Sequence, residues 1–252
     1  MNEWKILERI RERYQHILGS KLTGIYVHGS LAFGCFCRET SDIDFLVVVD
    51  QPLAQHEKEQ LIRTLLELDC YAPSKGFEMS VVLRSVCSPF ADPTPYELHY
   101  SNAYRANYRR DLAGVCREMR GVDPDLAAHM TVIQAVGITL FGQPAKDVFA
   151  PVPRACYLRS IWADIASAPE EIEHDPIYFT LNLCRVLAFA KEGAVLSKKQ
   201  GGEWGLTHLP EDDVLLHAAL AAYQKGTAFS AQCDLRSFAE KMILLIRQNA
   251  VF

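Results

Sequence analysis

The chain has 252 residues, 49% hydrophobic and 23% charged, with a formal net charge of −5. That length holds one large domain or two small ones with a real core, and the composition is that of an ordinary globular protein. The acidic balance argues against a long nucleic acid as substrate, since such partners select a basic face, and it suits a cationic small molecule.

The N-terminal stretch MNEWKILERIRERYQ lacks the basic start and apolar core of a secretory signal. No stretch approaches the ~18 uninterrupted apolar residues of a membrane span. The expected location is therefore the cytoplasm, with no membrane partner. The eight cysteines form no C-x-x-C pair and no zinc-like spacing, so reduced thiols are expected.

In chain order, apolar residues at Ile6, Leu7, Ile10, Tyr14, Ile17 and Leu18 have helical spacing and predict a helix over 3–18. GIYVH (24–28) reads as a strand, and IDFLVVV (43–49) as a second, rich in β-branched residues. EKEQLIRTLLEL (57–68) reads as a helix and FEMSVVLR (77–84) as a third strand. SPFADPTPYE (88–97), with three prolines, is expected as a loop. From there to about 145 the pattern is helical, including DLAAHMTVIQAVGITLFG (125–142). GQPAKDVFAPVPR (142–154) marks a junction, and only helical patterns follow, over 154–168, 176–192, 211–224 and 232–249. SKKQGG (197–202) reads as a polar, glycine-containing loop. The expected fold class is an α/β (α+β) domain with a mixed sheet over 1–150, followed by an all-α helical-bundle domain over 151–252.

The chemistry concentrates in GIYVHGSLAFGCFCRETSDIDFLVVVD (24–50). Residues i and i+2 of a strand share a face, so Asp42 and Asp44 lie side by side, their Cα atoms roughly 7 Å apart. Two such carboxylates repel unless a cation intervenes. Mg²⁺ prefers oxygen ligands and is commonly held by one or two carboxylates plus substrate phosphates. Gly29 lets backbone approach a phosphate. Ser30, at a strand-to-helix turn, is expected to cap the helix and offer its hydroxyl, while Gly34 closes the turn and Ser41 orients the acids.

Strand, Gly-Ser, Gly34 and then Ser-Asp-x-Asp opening an apolar strand resembles the nucleotidyltransferase superfamily that includes DNA polymerase beta. A third acid is then expected on the next strand, where Glu78 opens EMSVVL. Over about residues 20–225, SDIDFLVVV, FEMSVVL, YELHYSNAYR, DPDLAAHMTVIQAVGITLFGQPAKDVFAPVP and DPIYFTLNLCRVLAFAKEGAVLSKKQGGEWGLTHLP look like the aminoglycoside 3''/9 adenylyltransferases, the streptomycin and spectinomycin resistance enzymes.

The resemblance implies roles residue by residue. Asp42, Asp44 and Glu78 would hold Mg²⁺, and Glu78 would also be the catalytic base. Gly29 and Ser30 would contact the phosphates of ATP, which Arg185 and Lys198 would reach from the second domain, with Lys199 as a substitute for Lys198. Asp175, Tyr104 and Glu97 would serve the acceptor. Simpler readings stand beside these: Asp175 as an N-cap before Pro176, Arg185 paired with an internal acid, Lys198 as an exposed loop lysine, Glu97 at a helix start. Streptomycin-modifying members carry a tryptophan where this chain has Ala103. Loss of that aromatic face weakens stacking and favours spectinomycin.

The implied activity is transfer of AMP from ATP to a hydroxyl of an aminoglycoside or aminocyclitol by a monomeric enzyme, releasing pyrophosphate. The alternatives are the same fold acting on another small molecule, a protein or an RNA, and a catalytically idle nucleotide-binding regulator. The presence of all three acids argues against the last.

Overall fold

The computed structural model describes residues 1–250. The chain divides into two compact units, Met1–Val152 and a second from Pro153 onward. The first unit runs α1 (Glu3–Leu18), β1 (Leu22–Val27), α2 (Gly29–Ala32), β2 (Ile43–Val49), α3 (Gln55–Leu68), β3 (Phe77–Leu83) and α4 (Arg84–Cys87). It continues with β4 (Thr94–Tyr96), β5 (Leu98–Tyr100), α5 (Arg105–Arg110), α6 (Leu112–Glu118), β6 (Gly121–Asp123), α7 (Leu126–Val136), β7 (Ile138–Gly142) and α8 (Ala145–Val148).

The main sheet has the order β5-β3-β2-β1-β7. Only β2 and β3 are parallel; the other pairs are antiparallel, so the sheet is mixed. Strand β2 is buried along its whole length, which is why it reads as a continuous apolar run rather than an alternating one. Its residues Ile43, Phe45, Val47 and Val49 face α1 and α3, in a core with Ile6, Ile10, Tyr14, Leu61 and Leu65. Leu46 and Val48 face the other way, into a second core with Leu126, Met130 and Ile133 of α7. Helices therefore cover both faces, and every residue of β2 has a defined side.

Three stretches of this unit depart from the sequence reading. ITLFG, expected to prolong a helix, is β7 and pairs with β1. Gly137 ends α7, and a short apolar run takes its conformation from the strand edge available to it. Within the proline-rich stretch, Thr94–Tyr96 pairs with Gly121–Asp123, and Pro95 sits exposed on this two-stranded ribbon, a position a residue without an N–H tolerates. Leu98–Tyr100 extends the main sheet from β3.

The second unit contains only helices among its described residues: α9 (Arg154–Ala163), α10 (Ala168–Glu171), α11 (Pro176–Glu192), α12 (Lys198–His208), α13 (Asp213–Lys225) and α14 (Leu235–Asn249). Helix α11 is its axis, with Leu181, Leu183, Cys184, Val186, Leu187 and Ala188 fully buried.

SKKQGG, expected as a loop, opens α12. Ser197 is its N-cap, and Ser197 and Gln200 form a reciprocal capping box. The glycines are not helix breakers here. A Cβ on Gly201 would lie 2.7 Å from the Cβ of Arg185, and one on Gly205 2.9 Å from Cys184 Sγ. They cost helix propensity, about 1 kcal/mol each, and in return let α12 lie against α11. None of the eight cysteines is in a disulfide. No helix among the described residues is long and apolar enough to cross a membrane.

Candidate active site

The alternation that buries β2 also aims its acids. Asp44 and the preceding Asp42 belong to the face of Leu46 and Val48, the α7 side. On β3, Met79 and Val81 join the α1/α3 core while Val82 joins the α7 core, so Glu78 shares the face of the two aspartates. The parallel register sets Asp44 directly opposite Glu78. One oxygen from each of Asp42, Asp44 and Glu78 lies within 4.8 Å of the others. Hard carboxylate oxygens at this spacing are the donor set of a small divalent cation, and Mg²⁺ fits them.

Strand β1 delivers the turn. His28 N–H donates to the Asp44 carbonyl at 3.0 Å, seating the Gly29-Ser30 turn beside the acids. Gly29 has φ +60°, and a Cβ there would fall 1.7 Å from Asp44 Oδ2, so close approach and backbone conformation both require glycine. His28, not Ser30, occupies the N-cap position of α2. The Ser30 hydroxyl is buried without a hydrogen-bond partner, a state that calls for a ligand or water and suits a phosphate oxygen. Gly34 closes the turn, its amide donating to Leu31 at 3.2 Å. Ser41 Oγ accepts from the Cys37 amide at 3.1 Å; it closes the loop before β2 instead of orienting the acids.

Sequence reasoning missed the histidines around Glu78. His129 Nε2 on α7 lies 3.5 Å from Glu78 and 3.3 Å from Asp125 one helical turn earlier. The His28 ring lies 4.5 Å from the His129 ring. His99 Nδ1 is 2.9 Å from Ser80 Oγ, two residues along β3 from Glu78. Burial opposes a charge on His129, yet the hydrogen bond and charge of Asp125, with Glu78 and Asp44, outweigh it and bring the imidazole up to about 10. Burial, helped by the charge of His129, pushes His28 well below the ordinary histidine range. Glu78 is raised by burial and by the neighbouring acids Asp42, Asp125 and Asp123, with His129 pulling the other way. An i, i+4 Asp-His pair in DPDLAAHM was the only local signal.

The acceptor candidates divide. Tyr104 is exposed and stands edge-on to His99 at 5.6 Å, on the Glu78 side of the sheet. Ala103 precedes it in the same exposed turn. Glu97 is not brought to the acids: its carboxylate accepts from the Leu53 amide at 3.1 Å, beyond the opposite end of β2. Nor is it at a helix start, since it lies between β4 and β5.

Within the helical unit, Asp175 is the N-cap of α11, accepting from Tyr178 N–H at 3.1 Å. It lines a surface groove with Glu171, His174, Tyr178 and Phe179. Arg185 donates to Asp164 at 2.7 Å, the internal acid that an arginine in an apolar helix requires. Tyr178 OH donates to the same carboxylate at 3.3 Å, and the Lys198 ammonium lies 4.8 Å over the Tyr178 ring. Lys198 thus stands in one cluster with Arg185, whereas Lys199 pairs with Glu203 at 3.4 Å.

A mixed sheet whose parallel pair presents three converging carboxylates beside a Gly-Ser turn defines a nucleotidyltransferase, and the nucleotidyltransferase domain model matches residues 5–89. The model of the aminoglycoside adenylyltransferase C-terminal domain matches residues 147–244. The chain is thus similar to the aminoglycoside adenylyltransferases in both of its units and is an enzyme of the adenylyltransferase type.

Among curated relatives, a spectinomycin 9-adenylyltransferase of Staphylococcus aureus is 29% identical over 222 residues, 86% of this chain and 82% of the relative. One from Campylobacter jejuni is 24% identical over 213 residues, 82% and 80% of the two chains. The crystal structure of an Enterococcus spectinomycin adenyltransferase with ATP and spectinomycin superposes with a TM-score of 0.77. That match covers 98% of this chain and 100% of the other at 18% identity, and it establishes the shared fold.

Proposed function

We propose that this enzyme is a Mg²⁺-dependent O-adenylyltransferase that moves AMP from ATP to a hydroxyl of spectinomycin or a close aminocyclitol. The observation that carries the reading is the convergence of Asp42, Asp44 and Glu78 at one end of the sheet, with the partnerless Ser30 hydroxyl beside them. The kinship with spectinomycin adenylyltransferases supports the choice of acceptor.

The acceptor hydroxyl oxygen attacks the α-phosphorus of ATP. The new O–P bond forms as the bond to the bridging oxygen of pyrophosphate breaks, and the hydroxyl proton passes to Glu78. Burial raises the proton affinity of Glu78, which suits a base. Mg²⁺ held by Asp42, Asp44 and Glu78 would supply neutralisation of phosphate charge. Gly29 and Ser30 hold phosphate oxygens, and Arg185 and Lys198 supply cationic charge for the triphosphate, the dominant requirement in phosphoryl-type transfer. Asp175, on a groove that also carries Glu171, offers negative charge to a cationic acceptor, and Tyr104 offers an aromatic edge. Ala103 supplies no aromatic face, so streptomycin is the poorer substrate.

Pyrophosphate release tests the reading, with ATP, Mg²⁺ and a panel of spectinomycin, streptomycin and unrelated aminoglycosides. Spectinomycin is expected to turn over, with streptomycin at least ~10-fold slower. E78Q is expected to lower turnover by roughly 10²–10⁴-fold while ATP still binds. No turnover with any member of the panel rejects the acceptor; normal turnover by E78Q rejects the base.

A further inference from the structure

Glu78 begins its strand, and the pairing of β3 with β2 fixes its backbone but not its carboxylate. A glutamate side chain has three torsions, and ordering it costs rotamer entropy. A general base must nonetheless sit within hydrogen-bond reach of the proton it takes. The Glu78 carboxylate meets the His129 side chain, with Nε2 3.5 Å from Oε1.

His129 itself has little freedom. Its side chain is only 13% exposed. Asp125, one turn earlier on α7, meets the same Nε2 at 3.3 Å. The ring of His28, almost fully buried on the strand that leads into the Gly29-Ser30 turn, lies 4.5 Å away. The imidazole therefore ties together the phosphate-side turn, the third acid and α7. Nε2 stands at ion-pair distance from two carboxylates, so that one N–H can serve both.

We propose that His129, fixed by Asp125 and the His28 ring, is a positioning residue that holds Oε1 of Glu78 and so aims the carboxylate toward Asp42, Asp44 and the acceptor hydroxyl. The assignment rests on Glu78 being the base.

The test uses the full chain with ATP, Mg²⁺ and spectinomycin. H129F keeps a ring against His28 and removes the N–H. Its kcat is expected to fall roughly 10- to 100-fold while KM for ATP stays within about twofold. In an E78Q background, H129F is expected to change the residual rate by less than about twofold, because no base remains to be aimed. D125N, which loosens the imidazole from a more exposed position and stands in if H129F misfolds, is expected to lower kcat about threefold to tenfold.

Wild-type kcat in H129F or, if that variant misfolds, in D125N overturns the proposal, as does an equal loss with and without Glu78. A chain that turns over no drug, or an E78Q variant as active as the wild type, marks failure of the underlying function instead. In that case the Glu78 carboxyl-carbon resonance of the free chain, identified by its loss in E78Q, decides: it shifts in H129F if the contact holds, and an unmoved resonance overturns it.

Discussion

In the first unit the three acids stand on adjoining strand ends, on one face, at one level of a sheet. In the second unit Arg185, Lys198 and Asp164 come from α11, α12 and the end of α9, brought together by helices in contact through glycine. The two arrangements have different sources of precision. On a sheet, the period of two and the hydrogen-bonded register fix which side chains are neighbours. Between helices, only the packing of the whole surface does so, and a single added methyl group at the contact alters the distance.

The comparison can be broken most decisively at Gly29. G29A places a Cβ on Asp44 Oδ2 and forces a non-glycine residue to φ +60°. Turnover is expected to fall by more than ~100-fold, an effect of misplacing reacting groups, with only a modest change in the urea midpoint. Near-wild-type activity would mean that the turn does not hold the acids in place.

The helical counterpart is Gly201. G201A drives a Cβ to within 2.8 Å of the Arg185 backbone nitrogen. An expected loss of about 1–3 kcal/mol in urea unfolding, with a severalfold rise in KM for ATP, would show that this contact sets the position of Arg185. Unchanged stability would show that α12 can move away freely.

A third measurement uses pH. Folded His28 stays neutral because burial holds its pKa below the ordinary value, whereas the unfolded chain takes up the proton near pH 6.5. The unfolded state then binds more protons, so stability falls as the pH drops below about 6.5, by up to about 1.4 kcal/mol per pH unit. H28F removes that slope. Unfolding free energies of both chains at pH 7 and 5.5 measure it, and parallel pH dependence would contradict the burial of a neutral ring.

The smallest effect is expected at the α12 cap: S197A should cost about 1 kcal/mol by leaving the Gln200 amide without its acceptor. A loss under a few tenths, read from the shift in urea midpoint, would show that the helix is held by packing on α11 alone.

The same contrast governs what was legible beforehand. The strands read at 24–28, 43–49 and 77–84 and the helix at 3–18, all from local apolar pattern, stand in the structure at 22–27, 43–49, 77–83 and 3–18. Asp42 and Asp44 follow from acids at the mouth of an apolar strand, and Glu78 from the resemblance that calls for a third acid on the next one. SKKQGG at 197–202 reads locally as a loop because of its two adjacent glycines, and its capping box shows only in the folded helix. His129 lies 51 positions from Glu78, and nothing local announces that α7 crosses the face on which Glu78 stands.

By itself, then, the sequence determined the apolar strands, the acids at their mouths and the Gly-Ser turn, because strand periodicity and charge burial are short-range properties. The tertiary structure alone decided that ITLFG is an edge strand, that SKKQGG opens a helix and that a histidine meets the third acid. Each of these depends on a partner surface far away in the chain: an open strand edge beside β1, a groove on α11 that admits glycine, and a helix laid over the sheet.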